Sequence, residues 1–318
     1  MTQTKNKPLV WQLSALELDN KTLVTGVIIN SLPFAYDKQT GYFKNFIKSV
    51  SSFFISVYKQ NKISITVGNI TKTTETNSFG GFRVVFDETL SIVNISIRSN
   101  DSDELEIVQS YPIFFKKTSG KIDVISDVDD TIIISYTKNI FKRMGSILFT
   151  PPRRRKPIGF SQNLLKVLSR NGARVQYISK SESNLFAMLT SIIQHNRLPN
   201  GNLILTSYLK FRQLFNPKKG RYYKFNRISF IIKNTRDKKY ILIGDDTQKD
   251  MEVYTKIVKE FPDRVLKVYI RQTKFKIKAY QKIMLNNLKD TGIDYLYFDD
   301  DSNIDFETEY KELTEKTS

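Results

Sequence analysis

Residues 122–131, Ile122-Asp123-Val124-Ile125-Ser126-Asp127-Val128-Asp129-Asp130-Thr131, decide how the rest of the chain is read. The mostly apolar, β-branched start is a strand pattern. It ends in three carboxylates within four residues, Asp127, Asp129 and Asp130. Like charges crowded at a strand end repel one another unless a cation neutralises them. A hard divalent ion bound through oxygens, such as Mg²⁺, is the natural partner. The plain alternative is a solvated turn, but buried strand ends seldom carry such a run.

Working outward, a second acidic group follows another apolar strand, Tyr240–Ile243, as Gly244-Asp245-Asp246-Thr247-Gln248-Lys249-Asp250. Gly244 lets the backbone turn closely, and Asp245 and Asp250 are placed to complete a metal shell with the first cluster. Either motif alone is weak; the pair in one sheet is strong. Between and beyond them strands and helices alternate. Strands are expected at Arg174–Ser179, Leu203–Thr206 and Val265–Ile270, and helices near Ser161–Ser169, Leu185–His195, Phe225–Lys233 and Met251–Glu260. This alternation predicts a parallel sheet with helices on both faces, whose site lies beyond the C-terminal ends of the strands.

The first third has another texture. Leu23–Ile29, Ile63–Val67, Phe82–Phe86 and Ile92–Ile97 read as strands, interrupted by one amphipathic helix carrying Phe43, Phe46, Ile47, Val50, Phe53, Phe54 and Val57 at helical spacing. Core contact is the simplest reading of that aromatic stripe, with a membrane-surface role as the minor one. The expected organisation is therefore a β-rich, sandwich-like domain over 1–118, an α/β domain over 119–293, and a loosely held acidic tail over 294–318.

Composition removes several routes to catalysis. The 318 residues include no cysteine and one histidine, His195. A Cys nucleophile, a disulfide framework and a multi-His metal centre are thus excluded. His195 falls in a helix pattern and reads as structural. The opening MTQTKNKPLVWQLSALELDN has no long apolar region with a cleavage site, and no later stretch reaches about 18 apolar residues. A cytoplasmic protein is expected, with at most peripheral contact at the inner face of the membrane.

The formal charge of +18 is unevenly spread. Basic and acidic residues number 13 and 10 in 1–120, 35 and 13 in 121–293, and 2 and 9 in 294–318. The excess sits almost entirely in the second half, so an anionic partner is expected to meet that half, the plain alternative being a basic surface with no specific partner. Two clusters stand out: Pro151-Pro152-Arg153-Arg154-Arg155-Lys156-Pro157, with Lys142 and Arg143 before it, and Lys210–Lys239, where Asp237 is the only acid. Charge alone suits lipid head groups and nucleic acid equally.

Five segments, Ile125–Ile132 (ISDVDDTI), Tyr177–Ser181 (YISKS), Leu198–Leu205 (LPNGNLIL), Ile243–Tyr254 (IGDDTQKDMEVY) and Phe261–Arg271 (FPDRVLKVYIR), bear a family likeness. The order DxDxT, strand-end serine, helix-opening lysine and GD-x₄-D resembles the haloacid dehalogenase superfamily. More narrowly, the five segments resemble the catalytic domain of actin-patch-type phosphatidate phosphatases and their bacterial relatives, over about residues 120–275. The resemblance implies a Rossmann-like fold and a Mg²⁺-dependent phosphatase.

It also implies roles. Asp127 would attack phosphorus and form an aspartyl-phosphate, while Asp129 would act as acid and then base, a task calling for a raised pKa. Asp127 and Asp245 would hold Mg²⁺ by carboxylate, Val128 or Asp129 by a backbone carbonyl, the latter being the family's usual choice, with Asp250 supporting. Ser179 would bond a phosphoryl oxygen, Lys224 would balance the aspartyl-phosphate, and Thr131 and Ser181 would help bind substrate. The loop Ser135–Phe160 sits where the superfamily inserts a cap, so Arg153, Arg154 and Arg155 would overhang the entrance. Ser179-Lys180-Ser181-Glu182 lacks the family's usual proline, and Gly244-Asp245-Asp246-Thr247 replaces Gly-Asp-Ser-Gly, adding a charge beside the metal. Both changes bear on substrate more than on reaction.

The expected function is hydrolysis of phosphatidate to diacylglycerol. The alternatives are a phosphatase of nucleic-acid ends or soluble phosphomonoesters, and a non-catalytic basic adaptor for membrane or nucleic acid. No RNP-like aromatic motif, helix-turn-helix or zinc-finger signature supports the nucleic-acid reading.

Overall fold

A computed structural model describes residues 7–34, 41–87, 89, 94–99, 104–134, 149–207, 222–247, 249–274 and 276–317. Lys142, Arg143, Lys218, Lys219, Arg221, most of the expected cap loop and the start of the expected strand Ile92–Ile97 lie outside the described residues. The chain divides into two units, one holding the residues up to Lys117 with Glu182–Thr190 and Thr206–Lys219, the other the remainder. The first break falls between Lys117 and Thr118. The return of Glu182–Thr190 to the first unit has no local signal in the sequence.

In the first unit the strands are β1 (Leu9–Glu17), β2 (Thr22–Ile29), β3 (Lys62–Val67), β4 (Ile70–Glu75), β5 (Gly81–Phe86), β6 (Ile95–Ser99) and β7 (Phe114–Phe115). They form a four-stranded sheet ordered β5-β2-β1-β7 and a three-stranded sheet ordered β4-β3-β6. Alternation does the sorting. Ile63, Ile65 and Val67 of β3 enter a core with Val24 and Ile28 of β2, Phe82, Val84 and Phe86 of β5, and Ile97 of β6. The opposite face carries Ser64 and Thr66, whose hydroxyl pairs with Thr71 across the strands at 2.8 Å.

One helix, α1 (Tyr42–Ser52), corrects the sequence reading. Its buried residues are Asn45, Ser49 and Ser52, whereas Phe43, Ile47 and, just beyond it, Phe54 are exposed; of the aromatic stripe only Phe53 is fully buried. Periodicity establishes that residues share a face, but not which way the face turns.

The second unit is built on β8 (Ile122–Ser126), every residue of which is buried. Asp123 tolerates this position because Arg174 grips it through Nε at 3.1 Å and Nη2 at 2.9 Å. Helix α2 (Gly159–Arg170), β9 (Arg174–Glu182), α3 (Phe186–His195), β10 (Asn202–Thr206), α4 (Tyr223–Lys233), β11 (Lys239–Asp245), α5 (Asp250–Glu260), β12 (Val265–Arg271), α6 (Ala279–Lys289), β13 (Tyr295–Phe298) and α7 (Phe306–Glu315) follow along the chain, with Glu182, the part of α3 up to Thr190, and Thr206 belonging to the first unit. The six-stranded sheet has the order β10-β9-β8-β11-β12-β13, with β8 parallel to β9 and β11, and β12 parallel to β11 and β13. From β8 the chain moves outward through β9 and β10, then returns to place β11 on the other flank of β8. That reversal opens a crevice at the C-terminal ends of β8 and β11, where ligands bind in sheets of this kind.

The acidic C-terminal segment is not loosely held, which corrects the expectation for 294–318. Tyr295–Phe298 adds the sixth strand beside β12, and Phe298 stacks on Phe160 with ring centroids 4.0 Å apart. Leu313 of α7 is buried, and Glu309 receives Lys267 at 2.8 Å. Net charge masked the apolar side of Tyr295–Phe298 and of α7.

Candidate active site

Asp127 leaves β8 at the crevice, and its backbone N–H donates to the carbonyl of Ile243 on β11 at 2.9 Å. The Tyr254 hydroxyl donates to the same carbonyl at 2.8 Å, so one acceptor ties the end of β8, β11 and α5 together. The next residues turn tightly. Asp130 takes a left-handed conformation (φ +56°), and the Val128 carbonyl accepts the N–H groups of Ile132 at 3.0 Å and Ile133 at 3.3 Å. That carbonyl is therefore engaged inside the turn. The turn is further held by Ser161, whose hydroxyl donates to the Thr131 carbonyl at 2.6 Å, and by Arg271, whose Nη1 donates to the Asp130 carbonyl at 3.0 Å.

The side chains of Asp127, Asp245 and Asp250, all buried, each bring one oxygen within 4.8 Å of the other two. The residues that the sequence marked as two separate motifs thus meet at one point. Gly244 permits it. A Cβ there would sit 2.7 Å from the Tyr254 ring and 2.9 Å from Asp250 Oδ2, closer than non-bonded atoms approach. Lys224, in the first turn of α4 and 1% exposed, places Nζ 2.7 Å from Asp127 Oδ1 and 2.6 Å from Asp250 Oδ1.

The electrostatics follow from burial. Burial raises the Asp127 carboxyl well above the ordinary carboxylate range, opposed by Lys224 and reinforced by Asp250, Asp245 and Asp129. Burial and Asp250 push Asp245 up to about 7. Burial disfavours the Lys224 ammonium, yet Asp127 and Asp250 more than offset it and hold the lysine above its usual range. Three carboxylates and one ammonium carry a formal charge of −2, which a single divalent cation cancels. Asp250 Oδ2, buried without a hydrogen-bond donor, offers the lone pairs that a hard ion takes.

Asp129 is not part of that group of oxygens. Its Oδ2 accepts from Ser179 Oγ at 3.3 Å and from the Ser181 hydroxyl, while the Ser181 N–H donates to Ser179 Oγ at 2.9 Å. The two serines at the end of β9 therefore orient Asp129 in this structure. Thr131 Oγ1 lies 3.4 Å from Asp127 Oδ2. Lys180, half-buried between the serines, has no role in the sequence reading. Burial and the nearby Lys224 lower its pKa, and Asp250 and Asp127 act on it in the opposite sense. Its one signal was its place at a strand end.

Two expectations are corrected here. Arg155 is 4% exposed, and its Nε donates to the Thr150 carbonyl at 3.3 Å, so it does not face an incoming substrate. Arg153 and Arg154, in a short 3₁₀ turn, are exposed. Asp246 does not add its charge to the carboxylate cluster. Its carboxylate accepts from the Thr273 N–H at 3.2 Å, the Thr273 hydroxyl and the Tyr297 hydroxyl at 2.8 Å. His195 ends α3 at an exposed position.

Residues 122–272 match the family model described as phosphatidate phosphatase APP1, catalytic domain. An uncharacterized protein of Schizosaccharomyces pombe is 24% identical over 152 residues, which is 47% of this chain and 25% of that protein. Phosphatidate phosphatase APP1 of Saccharomyces cerevisiae is 30% identical over 169 residues, 52% of this chain and 28% of that one. The chain thus spans about a quarter of the length of these relatives. A class C acid phosphatase from Bacillus anthracis, solved with tungstate bound, is 16% identical with a TM-score of 0.35, covering 63% of this chain and 77% of that chain.

Proposed function

We propose that this protein is a Mg²⁺-dependent phosphatase whose substrate is phosphatidate or a closely related lipid phosphomonoester, a reading supported by the match of residues 122–272 to the phosphatidate phosphatase APP1 catalytic-domain model. The observation that carries the reading is the convergence of buried Asp127, Asp245 and Asp250 on one point, with Lys224 bridging two of them. The donor set suits Mg²⁺: all-oxygen, anionic and short of one divalent charge. When bound, the ion would offset the repulsion between an anionic nucleophile and an anionic phosphate.

The chain's own residues supply the rest. Asp127 attacks phosphorus, forming a bond from one carboxylate oxygen as the ester oxygen leaves, so one hard displacement becomes two easier ones. Lys224, already beside Asp127 Oδ1, holds charge next to the oxygen that is esterified. Asp129, oriented by Ser179 and Ser181, gives its proton to the leaving alkoxide and then takes one from the water that cleaves the aspartyl-phosphate. Either serine hydroxyl can rotate from Asp129 to a phosphoryl oxygen as the substrate enters. Of the two carbonyls considered for the ion, that of Val128 is engaged within the turn, which favours Asp129. The buried surroundings make each of these interactions stronger than in water.

The test is phosphate release from phosphatidate in mixed micelles, with and without Mg²⁺, for the wild type and Asp127→Asn, with an aryl phosphate as control. Release that needs both Mg²⁺ and Asp127 and favours the lipid is expected. Cleavage of the aryl phosphate alone would remove the lipid from the proposal and leave the chemistry.

A further inference from the structure

Helix α1 turns inward the side that its composition would assign to water. Asn45, Ser49 and Ser52 are buried, and the Ser52 carbonyl accepts from Asn184 Nδ2 at 3.0 Å. Outward stand Phe43, 75% exposed, and Ile47, 46% exposed. With half-buried Val50 and exposed Phe54 they complete a stripe at positions 43, 47, 50 and 54, the spacing of one helical face. Leu32, 69% exposed, extends the patch. It lies two residues beyond Asn30, whose N–H donates to the Ser56 carbonyl at 2.9 Å, and Ser56 in turn lies two residues beyond Phe54. Contiguous exposed side chains of this size mark a surface that is covered in use.

Charge narrows what covers it. No acidic residue occurs between Asp37 and Glu75, while Lys44, Lys48, Lys59 and Lys62 all fall there. Lys44 is exposed on the helix itself. A helix of 11 residues is about 16 Å long, too short to cross a bilayer but suited to lie in the plane of its interface, aromatic groups down and lysines at head-group level.

We propose that the Phe43–Ile47–Phe54 face of α1 docks the protein on anionic lipid bilayers. The choice of a bilayer over a protein partner rests on the lipid-phosphatase reading, since a substrate with two acyl chains is met at a membrane surface. Apolar insertion supplies the anchor and the lysines select for negative lipid.

The test is co-sedimentation of the full chain with vesicles of phosphatidylcholine alone or mixed with phosphatidylserine, both free of phosphatidate, comparing the wild type with Phe43→Ser/Ile47→Ser. The wild type is expected to partition onto the serine-containing vesicles, and the double variant to lose roughly tenfold or more in partition coefficient. Its melting temperature and its hydrolysis of an aryl phosphate should be unchanged. As a second readout, Phe43→Trp should blue-shift on adding those vesicles. Failure of the wild type to partition, equal partition of the double variant, or equal binding to neutral vesicles would overturn the proposal. So would self-association that the double variant abolishes without any vesicle binding, which would assign the face to a second copy. Because the vesicles contain no substrate, loss of the lipid-phosphatase reading appears only in the hydrolysis assay, and loss of docking only in the sedimentation.

Discussion

Lys224 Nζ lies 2.7 Å from Asp127 Oδ1, with the lysine side chain 1% exposed and the aspartate fully buried. The lysine makes a second contact with Asp250, so removing it strips two buried carboxylates of their counter-charge. In Lys224→Met without divalent ions, stability should fall by about 3–5 kcal/mol above neutral pH. The loss should shrink at acid pH, where Asp127 takes up a proton instead. Added Mg²⁺ should restore part of it. Urea titrations with EDTA and with Mg²⁺ check this; no loss in EDTA would show that Lys224 does not compensate the cluster.

The raised carboxyls give a pH dependence with a definite sign. Asp245 is pushed up to about 7 by burial and Asp250, so the native state binds its proton more tightly than the unfolded chain does. That contribution is full below about pH 4 and is lost as pH rises through about 7. In EDTA the wild type should therefore lose more stability between pH 5 and 8 than Asp245→Asn does. Mg²⁺, competing with that proton, should raise the melting temperature more at pH 8 than at pH 5. Parallel melting curves for the two proteins across this window would refute the assignment.

Asp127→Asn should abolish phosphate release, by at least about 10³-fold if the residue is the nucleophile. Because a buried, partly uncompensated carboxylate is neutralised, the variant's melting temperature in EDTA should not fall. Turnover close to wild type would require another nucleophile.

Gly244 is needed for its missing side chain. A Cβ at 2.9 Å from both Asp250 Cβ and Asp250 Oδ2 must displace the carboxylate or the Tyr254 ring. Gly244→Ala should cost about 1–3 kcal/mol and weaken Mg²⁺ binding, read by calorimetry. Unchanged affinity would mean that Asp250 does not need its present place.

Arg271 separates a surface pair from a buried bond. Its partner Asp300 is 61% exposed, so Asp300→Ala should cost no more than about 1 kcal/mol. Arg271→Ala also leaves the Asp130 carbonyl without this donor and should cost more, about 1–3 kcal/mol beyond the pair. Equal losses in denaturant titrations would show that the bond to Asp130 contributes little.

Much of the site was legible because its signals are local. Acid runs placed directly after apolar strands announce Asp127, Asp129, Asp245 and Asp250, and the alternation of strand and helix announces a parallel sheet. Lys224 required the family likeness, since several lysines crowd its neighbourhood and none is distinguished by its own sequence context. Nothing local announced that Ser179 and Ser181 would turn to Asp129, that Asp246 would face Thr273 and Tyr297, or that Arg155 would be buried beside Thr150.

The sequence by itself determined the strands and helices that carry the site, such as Ile122–Ser126 and Tyr240–Ile243, which residues share a face, and which chemical groups stand at strand ends, because these depend on neighbours a few positions away. Only the tertiary structure decided the strand order that sets β11 beside β8, the recruitment of Tyr295–Phe298 as a sixth strand, and the outward turn of Phe43 and Ile47. Those outcomes depend on which surfaces are buried against one another across the whole chain. That is a sum over distant contacts, and no local pattern records it.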